Sequence, residues 1–291
     1  MNSFDWLDRQ EYPFASHHFC INQQRLHYVQ EGTGKPILFV HGTPSWSFDY
    51  RHLIKGLRDQ YQCIAIDHIG FGLSDKPEHY DYSTPNHSKT LEKFILDQQL
   101  NNITLVVHDF GGPIGLNVAL QHPKRFEKII VLNSWLWNNE TDPDFIQFSK
   151  VLRNPLLPFL YRYFNFSARF VLPQSFGEHK LSRSLLQQYT APFANKTERN
   201  GTVAFAKSLL NDQQWFGELW EKRSVLTEKP FLFVWGMKDP VIKPPHLAKF
   251  QAAFPNSSTL TLPTAGHFPQ EEQAEHVLKA IKSFLNEYPT P

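Results

Sequence analysis

Three observations predict an α/β fold, with a mostly parallel eight-stranded sheet, helices on both faces and an inserted helical cap. Short apolar runs alternate with amphipathic stretches from residue 15 to 136. Several of these runs are apolar at nearly every position, as strands buried on both faces require. The strand pattern stops after about Trp137 and resumes at Phe231.

Residues 18–21 and 25–29 read as two early strands. Pro36–Val40 is a near-continuous apolar run, and residues 63–66, 103–107 and 129–132 repeat that type. Helical periodicity lies between them, for example over residues 89–96. Residues 138–226 carry no strand-like run. They hold Pro143, Pro155, Pro158, Pro173 and Pro192, with 10 of the chain's 25 Phe. This stretch predicts a helical cap, whose aromatic rings suit either an apolar cavity or the packing of a thin helical layer. Strands return at 231–235 and 258–262, and a helix over about 271–285 closes the chain. The predicted organisation is core at 1–137, cap at 138–226 and core again at 227–291.

Composition narrows the function classes. Lys and Arg number 29 against 28 Asp and Glu, a net charge of +1, which favours neither nucleic acid nor an anionic membrane as partner. Met1 to Trp6 lacks a basic stretch followed by an apolar one, so no secretory signal and a cytoplasmic location are expected. The most apolar part of the cap, residues 151–172, is broken by Arg153, Arg162 and Arg169, so no transmembrane helix is expected. Cys20 and Cys63 sit in strand-like apolar surroundings and predict buried free thiols. The 14 His show no metal-ligand spacing, so no metal is expected. A monomer or small homo-oligomer is the expected state.

Asp109 is the most informative residue. It lies in Val106-Val107-His108-Asp109-Phe110-Gly111-Gly112, between a strand-like run and a helix-like one. A strand turning sharply into a helix through small residues is the geometry of a nucleophile elbow. The elbow residue is usually Ser. A carboxylate there attacks carbon and leaves an alkyl ester on the enzyme. Asp before a helix is also an ordinary N-cap, and Gly pairs are ordinary turn material.

Three further segments decide between these readings. His41-Gly42-Thr43-Pro44 follows a buried strand and is either a plain turn or an oxyanion loop donating the Thr43 N–H. Asp239, in Gly236-Met237-Lys238-Asp239-Pro240, ends the next strand after the cap. His267, in Ala265-Gly266-His267-Phe268, precedes the last helix. The order nucleophile, acid, histidine is that of the α/β-hydrolases.

Together these segments resemble the α/β-hydrolase superfamily, and within it the haloalkane dehalogenase branch. The resemblance extends over most of the chain, through Tyr12-Pro13-Phe14, His41 to Ser47, Asp67 to Pro77, His108 to Gly112, Tyr189 to Phe193 and Gly236 to Asp239. It implies that Asp109 displaces the leaving group and that His267 then activates water against the ester. Asp239 would orient His267, the N–H groups of Thr43 and Phe110 would hold the oxyanion, and no metal or organic cofactor is needed. The other acid position, after the sixth strand, holds Asn133, which has no charge to offer. The implied substrate is a small apolar organic molecule, with Trp46, Asn133, Trp135, Phe176 and Phe205 as candidate wall residues. His68 and His108 are assigned to packing around the turns.

This chain departs from the branch at the leaving-group site. The branch usually carries Trp directly after the nucleophile, where this chain has Phe110. Another subgroup places Asn in the oxyanion loop, where this chain has Thr43, and the subgroup that matches the acid position of Asp239 places a second Trp in the cap, where this chain has Phe176. Trp46, Trp135, Trp137 and Trp215 are the candidate replacement donors. Epoxide hydrolases share the Asp elbow but use cap tyrosines. Tyr161, Tyr163 and Tyr189 are present, while Ala206 occupies the position where that family supplies one. Fluoroacetate dehalogenases usually carry Arg just after the nucleophile, which this chain lacks. A β-lactone decarboxylase needs no halide site and remains an alternative, as, more remotely, does a non-catalytic ligand binder.

Overall fold

The computed structural model describes residues 4–288. The strands are β1 (Ser16–Ile21), β2 (Gln24–Glu31), β3 (Pro36–Val40), β4 (Gln62–Ile66), β5 (Ile103–Asp109), β6 (Phe126–Ser134), β7 (Phe231–Gly236) and β8 (Ser257–Leu262). They form one sheet in the order β1-β2-β4-β3-β5-β6-β7-β8. The pairs β1–β2 and β2–β4 are antiparallel and the rest parallel.

Every residue of β3, β5 and β7 is buried, which explains their unbroken apolar runs. The helices of the sheet faces are α1 (Arg51–Leu57), α2 (Thr84–Asp97) and α3 (Gly111–Gln121). Two large apolar clusters cover the two sides of the sheet. One gathers Leu105, Val107, Ile129 and Phe233, and the other Phe39, Val106, Ile130 and Val234. Neighbouring residues of β5 and β6 thus divide between the clusters, as the two-residue pleat demands.

Between β6 and β7 the described chain forms helices and no strand. These are α4 (Pro143–Leu152), α5 (Leu157–Phe164), a π-helical turn (Ser167–Val171), the short α6 (Leu172–Gln174), α7 (Arg183–Thr190), α8 (Asn200–Asn211) and α9 (Gln213–Glu221). Side-chain caps start two of them. Asp142 accepts from the N–H groups of Asp144 and Phe145, and Ser182 from that of Leu185. After β7 come α10 (Pro244–Ala253), α11 (Pro269–Glu272) and α12 (Ala274–Glu287).

Two expectations need correction. Cys20 is exposed, because β1 is an edge strand and only Ile21 turns its side chain fully inward; Cys63 is buried, and both thiols are free. The closing helix is two helices, α11 and α12, broken at Gln273 with φ −138°.

The chain runs from β3 out to β4 and then returns across β3 to β5. The carboxyl ends of β3 and β5 therefore face each other where the strand order reverses. Crevices in open α/β sheets form at such a point, and both Thr43 and Asp109 lie there.

Candidate active site

Asp109 is the last residue of β5, with φ 51° in the left-handed region. Holding a non-glycine residue there costs about 1–3 kcal/mol and turns its side chain out of the strand line. The neighbouring glycines make the turn sterically feasible. A Cβ on Gly42 would collide with the Asp109 carboxylate, and one on Gly112 with Ser134 Oγ. Ser134 Oγ also donates to the Asp109 carbonyl at 2.6 Å, fastening the elbow to the end of β6.

The Asp109 carboxylate is held from two sides. Thr43 N–H donates to its Oδ2 at 2.8 Å, and His267 Nε2 lies 3.6 Å from its Oδ1. His267 Nδ1 meets Asp239 Oδ2 at 2.6 Å. The structure thus brings Asp109, His267, Asp239 and Thr43 into one cluster, from four separate parts of the chain.

Asp239 is buried, and four hydrogen bonds account for its carboxylate. Oδ1 accepts from the backbone N–H groups of Val241 and Ile242 at 2.8 Å and 2.9 Å. Oδ2 accepts from His267 and from the Asn133 amide at 2.9 Å. Burial alone would raise the Asp239 carboxyl, but His267 and these donors outweigh it and hold it below its ordinary value. Burial likewise opposes charge on His267. The carboxylates of Asp239 and Asp109 prevail, and its imidazole is pushed up to about 10.

The loop carrying His267 is fixed through its backbone. His267 N–H donates to the Ser175 carbonyl at 2.8 Å, and its own carbonyl accepts from His108 Nε2 at 2.7 Å. Glu272 accepts from the N–H groups of Gly266 and Gly177, at 2.7 Å and 2.8 Å. Behind His108, the buried Asp49 accepts from Tyr189 and Gln270. Tyr189 also donates to Glu271, which grips Arg51 through two oxygens. Glu272 and Asp49 escaped notice in the sequence, because acids beside a helix are ordinary and no spacing marks their long-range partners.

Two cavities meet at Asp109. The smaller, of about 80 Å³, is bordered by Thr43, Phe110, Tyr161, Thr202, His267 and Phe268. The larger, of about 340 Å³, is bordered by Trp135, Asn139, Val151, Ile242 and His246. Phe148, Leu209 and Val241 border both.

Of the five candidate wall residues, Trp135 alone lines either of these cavities. Trp46 is fully buried against Tyr12 and Phe48, with its indole donating to the Gln188 carbonyl at 3.0 Å. Asn133 faces Asp239 and Gly236. Phe176 stacks on Phe268 at 5.2 Å, and Phe205 packs behind Phe110 at 4.6 Å. Each of these four is taken up by packing or by hydrogen bonds away from the cavity space. Trp135 meets the Phe110 ring edge-on at 4.9 Å, and its Nε1 is buried with no hydrogen-bond partner. Among the cap tyrosines, Tyr161 borders the smaller cavity, Tyr163 is exposed and Tyr189 is committed to Asp49 and Glu271.

A family model described as the alpha/beta hydrolase fold matches residues 35–274. The chain belongs to the α/β-hydrolase family. Within this family it is 35% identical over 276 residues to haloalkane dehalogenase 2 of Mycobacterium tuberculosis, covering 94% of this chain and 96% of that protein. It is 33% identical over 287 residues to a cis-3-alkyl-4-alkyloxetan-2-one decarboxylase of Shewanella oneidensis, covering 96% and 90%. The crystal structure of the haloalkane dehalogenase DatA from Agrobacterium tumefaciens superposes with a TM-score of 0.84 at 25% identity, over 94% of this chain and 96% of that one. This α/β-hydrolase is an enzyme of the hydrolase type, most like the haloalkane dehalogenases.

Proposed function

We propose that this α/β-hydrolase cleaves carbon–halogen bonds of small apolar molecules through a covalent ester on Asp109. The observation that carries this reading is the Asp109 carboxylate on a cavity wall, between Thr43 N–H at 2.8 Å and His267 Nε2 at 3.6 Å. In the first step an Asp109 oxygen attacks the carbon and the halide leaves with the bonding pair, giving an alkyl ester. The ester has no charge, so His267 loses one of the two carboxylates that raise it and becomes easier to deprotonate. In the second step neutral His267 takes a proton from water, whose oxygen adds to the ester carbonyl. The N–H groups of Thr43 and Phe110 hold the resulting oxyanion; on its collapse the His267 proton passes to the departing alkoxide, which frees the alcohol, and Asp109 returns to a carboxylate by releasing one proton to solvent. Asp239 and Asn133 keep the imidazole oriented throughout.

The departing halide needs a donor that Phe110 does not supply. Trp135 answers this need, because its buried Nε1 has no partner and its residue borders the larger cavity beside Asp109. Trp46 and Trp235, by contrast, direct their indoles to backbone carbonyls. Residues 138–226 act as the cap over the two core parts, 1–137 and 227–291.

A second reading is decarboxylation of a β-lactone. It is favoured by two adjoining cavities at Asp109, since a ring with alkyl groups on adjacent carbons has two arms to place. Epoxide opening is less favoured, because a single cap tyrosine, Tyr161, borders these cavities.

Intact-protein mass spectrometry of His267→Gln separates these readings. With 1,2-dibromoethane the expected result is a bromoethyl adduct that is absent when Asp109→Asn is added. Lactone consumption with no halide adduct would transfer the assignment to decarboxylation, and an adduct from styrene oxide alone would transfer it to epoxide opening.

A further inference from the structure

Helix α5 carries large apolar side chains on its exposed side as well as its covered one, with Arg162 as its one charged residue. Leu157 and Tyr161 face inward and pack with Leu152 and Val203. Leu156, Phe159 and Tyr163, spaced i, i+3 and i+7, face outward and are 62%, 49% and 51% exposed. Phe164 is 53% exposed, and the Phe159 ring lies 4.7 Å from Tyr163 and 5.9 Å from Phe164.

This is a patch rather than scatter. Ten large apolar side chains are exposed among the described residues, and seven of them lie between Ile146 and Phe170. The contacts of Phe159 with Tyr163 and Phe164 join the centre of this stretch into one exposed apolar surface, and such surfaces mark interaction sites.

Charge identifies the occupant. Residues 145–177 contain Lys150, Arg153, Arg162 and Arg169 and no Asp or Glu. The acids at the start of α4 are engaged elsewhere, Asp142 capping the helix and Asp144 pairing with Lys243, so the exposed apolar stretch carries an excess of positive charge although the whole chain is close to neutral. Lys196 adds a further positive charge, 5.8 Å over the Tyr163 ring. Two copies of this face would oppose like charges. An anionic lipid surface satisfies both features, taking the apolar rings below its headgroups and the Arg and Lys ends among them. No helix of the described chain is long and apolar enough to cross a membrane, so the contact would be superficial.

The patch also adjoins the active site. Val151 is 54% exposed and borders the larger cavity, while Leu152 and Tyr161 border the smaller one. We propose that the α4–α5 face seats the enzyme on an anionic bilayer and that apolar substrate enters from the membrane side. The low net charge gave no hint of this, because the acids that cancel the patch lie elsewhere in the chain.

Vesicle flotation of the full chain tests the docking. Binding is expected to vesicles containing phosphatidylglycerol, but not to phosphatidylcholine alone, with release as salt is raised. The triple variant Leu156→Ser, Phe159→Ser, Phe164→Ser should bind about tenfold more weakly or worse. Its thermal unfolding and its turnover of water-soluble 1,2-dibromoethane should match the parent. The pair Arg153→Gln, Arg169→Gln should weaken binding at low salt and flatten the salt dependence. Failure of the parent to float with anionic vesicles would overturn the proposal, as would undiminished binding by the triple variant. A concentration-dependent dimer in light scattering that the triple variant abolishes would assign the face to a second copy instead. Loss of dibromoethane turnover in the parent would count against the proposed reaction and leave the docking result standing.

Discussion

The reacting corner and the walls of the larger cavity differ in how tightly their central polar groups are held. At the corner, Asp239 accepts four hydrogen bonds, and the backbone of His267 is tied on both sides. Around the larger cavity, Trp135 Nε1, Asn139 Oδ1 and His246 Nδ1 are all buried without partners. The four bonds to Asp239 preorganise the imidazole it holds, although Thr43 Oγ1 and His108 Nδ1 beside it are also buried without partners among the described residues. Unpaired groups on a cavity wall carry a cost that a ligand can remove. In the proposed reaction the chemistry is set at the sheet, and selection among substrates is assigned to the walls.

The sharpest way to break this contrast is at Asp109. Asp109→Asn keeps the shape of the corner and removes its nucleophile. Turnover should fall on the order of 10⁴-fold or more, while circular dichroism stays unchanged. Retained halide release would place the chemistry elsewhere in the cavity. Next comes the buttress behind the corner. Glu271→Ala leaves Arg51, itself 3% exposed, with Glu11 as its remaining ion-pair partner, and strips Tyr189 of one acceptor. Unfolding in urea should show a loss of about 3–5 kcal/mol, as for one partner removed from a buried pair. A loss below about 1 kcal/mol would mean that this network does not hold the corner.

The walls should respond in the opposite sense. Trp135→Phe removes an N–H that bonds to nothing, so stability should change little. If that N–H receives the halide, the alkylation step should slow by about ten- to a hundredfold, the worth of one hydrogen bond to a charged group. Stopped-flow halide release measures this directly. An unchanged rate would remove Trp135 from the leaving-group site.

The same division governs what could be read from the sequence. Eight strands and the elbow were legible because period and turn chemistry are local, as the unbroken run of β5 into Asp109 illustrates. Acid and histidine were legible through their chain order. Side-chain direction was not. Trp46, three residues after Thr43, and Phe205, in the cap, are both aromatic, yet each turns into packing that depends on distant partners, Gln188 for one and Phe110 for the other. Cys20 failed for a related reason, since an edge strand exposes a face that its apolar neighbours do not reveal. Asn133 was assigned to the pocket and instead supports Asp239, a pairing across 106 residues that no local pattern encodes.

The last expected effect, spread over several pH units, concerns the proton on His267. Its ordinary value of 6.5 is raised to about 10 in the folded chain, against the opposition of burial, by Asp239 and Asp109 together. A raised value means that the folded state binds this proton more tightly than the unfolded state. The resulting stabilisation is complete below about pH 6.5 and is lost as pH rises through about 10. Asp109→Asn removes one of the two carboxylates, so the upper edge of this window should move down while Asp239 keeps part of it. His267→Gln has no such proton and should show no loss assignable to it. Urea unfolding between pH 6 and 10 distinguishes the three proteins by slope. If His267→Gln loses stability over that range as steeply as the parent, the proton lies elsewhere, and the paired corner is held by its hydrogen bonds alone.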